Sequence, residues 1–299
     1  MSVAEAEVKE LHLEQPSSLG RDALDRFRHS KAAIVGVVVI LLLVIAAIFA
    51  PLIAPHDPNQ QVGALNSSDP EGPSSAHWMG LDVQGRDEFS RVVYGARLSL
   101  LVGLVSVAFG LTFGLVLGAL AGYFGGWIDT AIMRSMDVML TVPALLLAIG
   151  LVTLLGSGLL QIMIAVGVTI IPIFARLLRG SILAQRESDY VLAARSLGVP
   201  GRRLLMIHIL PNALAPLIVQ ATLAMATAII DVAGLSYLGL GPTDPSLPEW
   251  GKMLADNASR LDQATHLVIF PGAAVLISVL GLNLIGDGLR ESIDPKLRS

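Results

Sequence analysis

Residues 98–122 read LSLLVGLVSVAFGLTFGLVLGALAG, 25 residues without an ionisable side chain. A helix of about 20 apolar residues crosses the hydrocarbon core of a bilayer. This stretch is long enough to span, and a soluble fold has no place for it. Gly110, Gly114, Gly118 and Gly122 recur every four residues and share one helical face, with Gly103 nearly in line. Such a face lets a second helix approach closely. Tight packing inside the bundle and a ligand path along the glycines both fit it.

The rest of the 299-residue chain agrees: 54% of residues are hydrophobic and 15% charged, with a mean hydropathy of +0.70. A soluble domain has about 45–50% apolar and about 25% charged residues. Disorder, a nucleic-acid-binding surface and an ordinary soluble enzyme are thereby excluded. No cysteine is present, so disulfides and thiolate metal sites are ruled out. The six histidines (12, 29, 56, 77, 208 and 266) show no close ligand spacing such as HExxH, and neither a metal site nor a catalytic constellation is expected.

Five further apolar stretches accompany 98–122, at about 32–54, 132–155, 159–178, 213–235 and 266–286. The first is too long for the apolar region of a signal peptide and follows a 31-residue polar segment, so it reads as an uncleaved span. If six spans alternate from a cytoplasmic N-terminus, 15 of the 20 Lys and Arg fall inside and 5 outside (Arg86, Arg91, Arg97, Lys252 and Arg260). That bias predicts both termini in the cytoplasm. The expected division is an N-terminal tail over 1–31, a first span, an extracytoplasmic loop over 55–97, a core over 98–288 and a cytoplasmic tail over 289–299. Within the core lie a cytoplasmic loop over 186–212 and an outer loop over 236–265. Residues 1–20 read as disordered. Residues 21–31 (RDALDRFRHSK) suit either an amphipathic helix on the inner surface or a solvated leader.

Polar residues inside spans are costly and therefore informative. Gln220, Ala224, Thr227 and Asp231 share one face of the fifth span, which should line a water-filled path or make interhelical hydrogen bonds. Arg134 and Asp137 are spaced for a local ion pair. Pro143, Pro172 and Pro216 should kink their spans or loosen their backbone ladders.

The cytoplasmic loop reads SDYVLAARSLGVPGRRLLMIHILPNA over 188–213. Ser188 or Asp189 can cap a short helix, and Gly198 can end it in the left-handed conformation. Pro200 suits the first turn of a second helix, which Pro211 should stop. Ala193 and Ala194 keep one side slim, while Arg195, Arg202 and Arg203 add charge. A surface that docks into a cytoplasmic partner and a plain amphipathic connector both fit this pattern.

The loop resembles the EAA loop of permease subunits of ATP-binding-cassette (ABC) importers, E-A-A-x3-G-x9-I-x-L-P. Ala193, Ala194, Gly198, Leu210 and Pro211 match in register; Leu192 replaces the Glu and His208 the Ile. Segments 27–58, 77–100, 136–150, 235–254 and 283–298 are similar to the same branch, the C-type permeases of dipeptide, oligopeptide and nickel importers. The resemblance implies an all-α permease of six transmembrane helices with the type I importer fold. It also implies a second homologous permease, two cytoplasmic ATPases that bind ATP and Mg, and an extracytoplasmic solute-binding protein. The coupling residues it implies are Asp189, Tyr190, Ala193, Ala194, Arg195, Gly198, His208, Leu210 and Pro211. Gln220, Thr227 and Asp231 are the expected path or gate residues. The cargo implied is a di- or oligopeptide, or else nickel or another small solute.

This chain has no GxxxxGK[ST] phosphate loop, so the ATP chemistry belongs to other subunits. A secondary transporter would need intramembrane carboxylates and broken helices repeated in two halves. Only Asp231 lies well within a span, and no repeat is visible. A membrane enzyme would need a catalytic set in its spans, and none is found.

Overall fold

In the computed structural model, residues 19–65 and 70–293 are described. Residues 1–18 of the expected N-terminal tail (1–31) and 294–299 of the expected C-terminal tail (289–299) therefore lie outside the described residues, as do residues 66–69 of the 55–97 loop.

Ten helices of eight or more residues organise the described chain. They are α1 (Leu19–His29), α2 (Lys31–Ile48), α3 (Glu88–Phe124), α4 (Gly126–Thr141), α5 (Ala144–Leu155), α6 (Leu159–Arg186), α7 (Asp189–Ser196), α8 (Ala215–Leu235), α9 (Trp250–Asn257) and α10 (His266–Ile293). Helices α2, α3, α6, α8 and α10 are long and apolar enough to cross a membrane, and the bent pair α4–α5 makes a sixth span if counted as one.

The α3–α6 seam builds the core. A Cβ on Gly110 would stand 2.7 Å from the Gly167 carbonyl oxygen, on Gly114 2.5 Å from Phe174 Cβ, and on Gly118 2.5 Å from the Ala175 carbonyl oxygen. On Gly122 it would meet Ile182 Cβ at 3.0 Å. The four-residue glycine period thus brings two backbones into direct contact, and Phe174, Leu178 and Ile182 of α6 are fully buried against it. Helix α8 packs on α3, α6 and α10, while α10 also carries α2. There a Cβ on Gly36 would come 2.7 Å from the Gly281 carbonyl oxygen.

The break expected at Pro143 is found, and the expectations at Pro216 and Pro211 are corrected. The stretch 132–155 is two helices bent by 95°. Pro143 has no N–H to donate and holds Val142 extended (ψ 129°), so the helical ladder stops at Thr141 and restarts at Ala144. Pro172 produces no such break: α6 runs through it. Pro216 sits in the first turn of α8, where its missing N–H removes no helical bond. Pro211 does not stop its helix either. A π-helical turn over Leu204–Ile209 resets the bonding pattern, and Pro211 falls in the first turn of the next segment, Leu210–Ala213.

Large apolar side chains face outward on α2 (Leu41, Leu42, Ile48) and α3 (Leu104, Val116), roughly half exposed or more. On a soluble protein this area would be a liability; in a bilayer it is the lipid-facing or subunit-facing surface. Helix α1 runs beside the end of α10, with Phe27 next to Gly288.

Candidate coupling and translocation site

The loop over 186–212 folds as a helical hairpin directly after α6. Ser188 is extended (ψ 147°) before α7, and its hydroxyl donates back to the Gln185 carbonyl at 2.6 Å. At the other end Gly198 has φ +79°. Its N–H donates to Arg195 O at 3.0 Å, and the N–H of Val199 donates to Ala194 O at 3.2 Å. These two bonds make a Schellman turn, which satisfies the last carbonyls of α7. Tyr190 closes the hairpin: its hydroxyl lies 2.6 Å from Gln185 Oε1 and 3.2 Å from His208 O. Asn212 donates its amide to the same hydroxyl at 3.2 Å and to His208 O at 2.9 Å. Asn212 was absent from the expected site residues, and only its position four after His208 hints at it.

The two alanines part company. Ala194 is buried with Val191, Leu204, Leu205 and Ile209, so it faces the chain's own core. Ala193 is exposed, and so are Asp189, Arg195 and Pro211. Leu197, at the turn, is 85% exposed. An apolar side chain at the tip of a rigid turn outside the bundle is the feature that spacing alone did not pick out. His208 and Leu210 are half-buried behind it.

Arginines of α6 fix α4. Arg176 Nη2 donates to Asp137 Oδ1 at 2.7 Å, with both side chains about half exposed. Asp137 therefore pairs across to α6, in place of the local pairing with Arg134 that the spacing suggests. Arg179 grips Asp129 with two parallel bonds, and Arg186 donates to the Gly122 carbonyl at 3.0 Å.

Arg176 and Gln220 line an open groove of about 700 Å³ together with Leu140, Ile173 and Leu177. Gln220 also lines a second groove of about 450 Å³, against Arg290 of α10. Along the rest of the α8 face, Thr227 is exposed and Asp231 half-buried, while Ala224 packs into the core. Of the residues on this face, Gln220 lines both grooves.

At the opposite end the loop over 55–97 is a hydrogen-bonded cap. Asp87 caps α3, its Oδ2 accepting from Ser90 N at 2.8 Å and Ser90 Oγ at 2.7 Å. Arg86 Nε donates to Asp82 at 2.6 Å, and its Nη1 reaches Pro245 O at 2.9 Å in the loop over 236–265. Arg91 donates to Pro58 O at 3.1 Å. Arg97 binds the last carbonyls of α2, reaching Ile48 O at 2.7 Å. Trp250 is buried, with Nε1 donating to Val92 O at 3.0 Å. Glu249, also buried, accepts from Gly251 N and Lys252 N, each at 2.8 Å. Burial raises its carboxyl above the ordinary value, and those two backbone N–H groups pull the other way. The histidine spacing promised no ligand set, yet this cap brings His56, His77 and Asp87 together.

The profile of the family described as "Binding-protein-dependent transport system inner membrane component" matches residues 114–299, and that of the "N-terminal TM domain of oligopeptide transport permease C" matches 18–70. Among relatives, the dipeptide transport system permease protein DppC of Alkalihalophilus pseudofirmus is 46% identical over 280 residues, covering 93% of this chain and 90% of that one. The di/tripeptide transport system permease protein DppC of Pseudomonas aeruginosa is 43% identical, covering 95% and 94%. The glutathione transport system permease protein GsiD of Escherichia coli is 44% identical, covering 91% and 89%. Among solved structures, the MetNI methionine ABC transporter in an inward-facing form matches with a TM-score of 0.57 at 20% identity, covering 68% of this chain and 96% of that one. An amino acid ABC transporter matches at 0.54 and 16% identity, covering 68% and 94%. At those identities the structures speak for the fold alone. The chain belongs to the family of binding-protein-dependent transport system inner membrane components, and it is a transmembrane permease subunit of an ABC importer.

Proposed function

We propose that this permease, with a second homologous permease, forms the path for di- or tripeptides delivered by an extracytoplasmic binding protein. Relatives carrying dipeptide and di/tripeptide names, similar over nine-tenths of the chain, support that cargo class. Two cytoplasmic ATPases bind ATP and Mg, and this chain carries no catalytic residue or cofactor. One ATPase docks on the hairpin, with Ala193, Leu197 and the arginines around Gly198 facing it. In this reading the hairpin lies on the cytoplasmic side of the bacterial inner (plasma) membrane, with both termini cytoplasmic and the cap facing out. Gln220, Thr227 and Asp231 belong to the path or its gate.

The observation that carries the coupling role is the Leu197 knuckle, 85% exposed on a turn braced by two backbone bonds. An apolar tip on a rigid turn suits insertion into a partner's groove. Reconstitution of the four-subunit importer in liposomes tests the whole reading. ATP-dependent uptake of a labelled dipeptide, requiring the cognate binding protein and unaffected by excess Ni²⁺, is expected. Uptake of Ni²⁺ with no peptide uptake would replace the cargo while leaving the machine in place.

A further inference from the structure

We propose that the extracytoplasmic cap holds a divalent transition-metal ion, zinc first among candidates, on His56, His77 and Asp87. The three come from separate pieces of chain: the segment after α2, the 71–80 loop and the N-terminus of α3. One nitrogen of each imidazole and a carboxylate oxygen of Asp87 all lie within 4.8 Å of one another. His77 Nδ1 is 3.1 Å from Asp87 Oδ1. In a tetrahedral zinc site with bonds near 2.0–2.1 Å, neighbouring donor atoms are about 3.3 Å apart. The His77–Asp87 edge thus already has the required length, and a modest swing of His56 completes the face.

Three details favour a ligand over a structural histidine pair. His56 Nδ1 is sealed from solvent and has no hydrogen-bond partner, although its ring lies 5.7 Å from that of His77, centroid to centroid. A buried acceptor or donor left unpaired is costly, and this ring lies in a group that could share an ion. Asp87 is 1% exposed and divides its labour: Oδ2 takes both bonds from Ser90, while Oδ1 faces His77. Ser90 therefore orients the carboxylate as outer partners commonly do at metal centres. His56 is itself held to that structure, its backbone N–H donating to Ser90 Oγ at 3.3 Å. Two imidazoles and one carboxylate suit zinc or a similar borderline ion, with the fourth position left to water. The ion would clasp the chain leaving α2 onto the cap of α3. It is a structural ion here, distinct from any cargo.

The test uses the assembled importer without its binding protein, purified by a tag free of histidine and stripped with chelator. Titration with Co²⁺ should give the visible ligand-field absorption of a tetrahedral site, saturating at one equivalent and displaced by Zn²⁺. His56→Ala and His77→Ala, each checked for intact assembly by size-exclusion chromatography, should lose that absorption. Asp87→Asn should keep the helix cap and bind the ion at least tenfold more weakly. Absence of the band in the wild-type importer overturns the proposal, and so does an undiminished band in the assembled histidine variants. Should those variants fail to assemble, the wild-type titration and its zinc displacement decide alone.

Discussion

The amide of Val199 reaches back 3.2 Å to the carbonyl of Ala194, across a glycine at φ +79°. That one bond converts a loop into a rigid projection, because it ends α7 and aims the following chain toward the bundle. Gly198 has open space where a Cβ would stand, so its requirement is purely conformational. A non-glycine residue in the left-handed region costs about 1–2 kcal/mol, less for Asn. Gly198→Val should reduce both ATPase co-purification and hydrolysis stimulated by the binding protein, while Gly198→Asn should stay close to wild type. Equal loss in the two variants would point to a side-chain clash with the partner.

Ala194 and Leu197 lie three residues apart and should behave in opposite ways. Ala194→Glu buries a charge among Val191, Leu204 and Leu205, which costs several kcal/mol and should lower the melting temperature of the permease itself. Leu197→Asp replaces an exposed side chain and should leave melting unchanged within about 0.5 kcal/mol. It should nevertheless release the ATPase. Thermal melting of the permease pair and pull-down of the ATPase through its partner separate the two effects.

Gly118 has no room for a side chain, since a Cβ there would stand 2.5 Å from the Ala175 carbonyl oxygen. Gly118→Val should force α3 from α6 and destabilise by about 1–3 kcal/mol or more. Gly150, with nothing within 4 Å of a Cβ, is the control: Gly150→Ala should be neutral or slightly stabilising. Thermal unfolding in one detergent reads both variants.

Glu249 predicts a pH dependence. Its carboxyl is raised above 4.5 by burial, so the folded state holds its proton more tightly than the unfolded chain. Folding stability from this group is complete below pH 4.5 and is lost as pH rises through the higher folded value. Glu249→Gln removes the titration and one capping acceptor. The melting-temperature advantage of wild type over Glu249→Gln should therefore shrink as pH rises from acid to alkaline. A constant difference would mean the carboxylate stays ionised in the folded cap.

Orientation can be mapped without background labelling, since the chain has no cysteine. Ser75→Cys, exposed in the outer cap, should react with an impermeant thiol reagent on intact cells. Ser299→Cys should be protected until lysis. The reverse pattern would invert the topology.

The α3–α6 seam was legible because four glycines at a fixed period admit few other uses, and the hairpin because Gly198 and Pro200 punctuate it. Less legible were contacts whose partners lie far apart in sequence. Arg134 was the nearest partner for Asp137 along the chain, yet the 95° bend at Pro143 turns α4 so that Arg176 takes the carboxylate. Adjacent alanines look alike in sequence, and only the packing of α7 on the segment 204–209 turns Ala194 inward and Ala193 outward. His56, His77 and Asp87 escape any spacing rule because the cap, rather than one helix, assembles them.

The α3–α6 seam has a mechanical consequence. With Phe174, Leu178 and Ile182 of α6 seated in the glycine face of α3, the two helices resist sliding past each other and should tilt together as one beam. At 1.5 Å per residue, α6 is about 42 Å long and α3 about 55 Å. One end of the beam leads straight into Ser188 and the hairpin; its far end is Asp87, the keystone of the cap. A few degrees of rotation imposed at the hairpin would become a displacement of several ångströms at the opposite membrane surface, with no slack between the two.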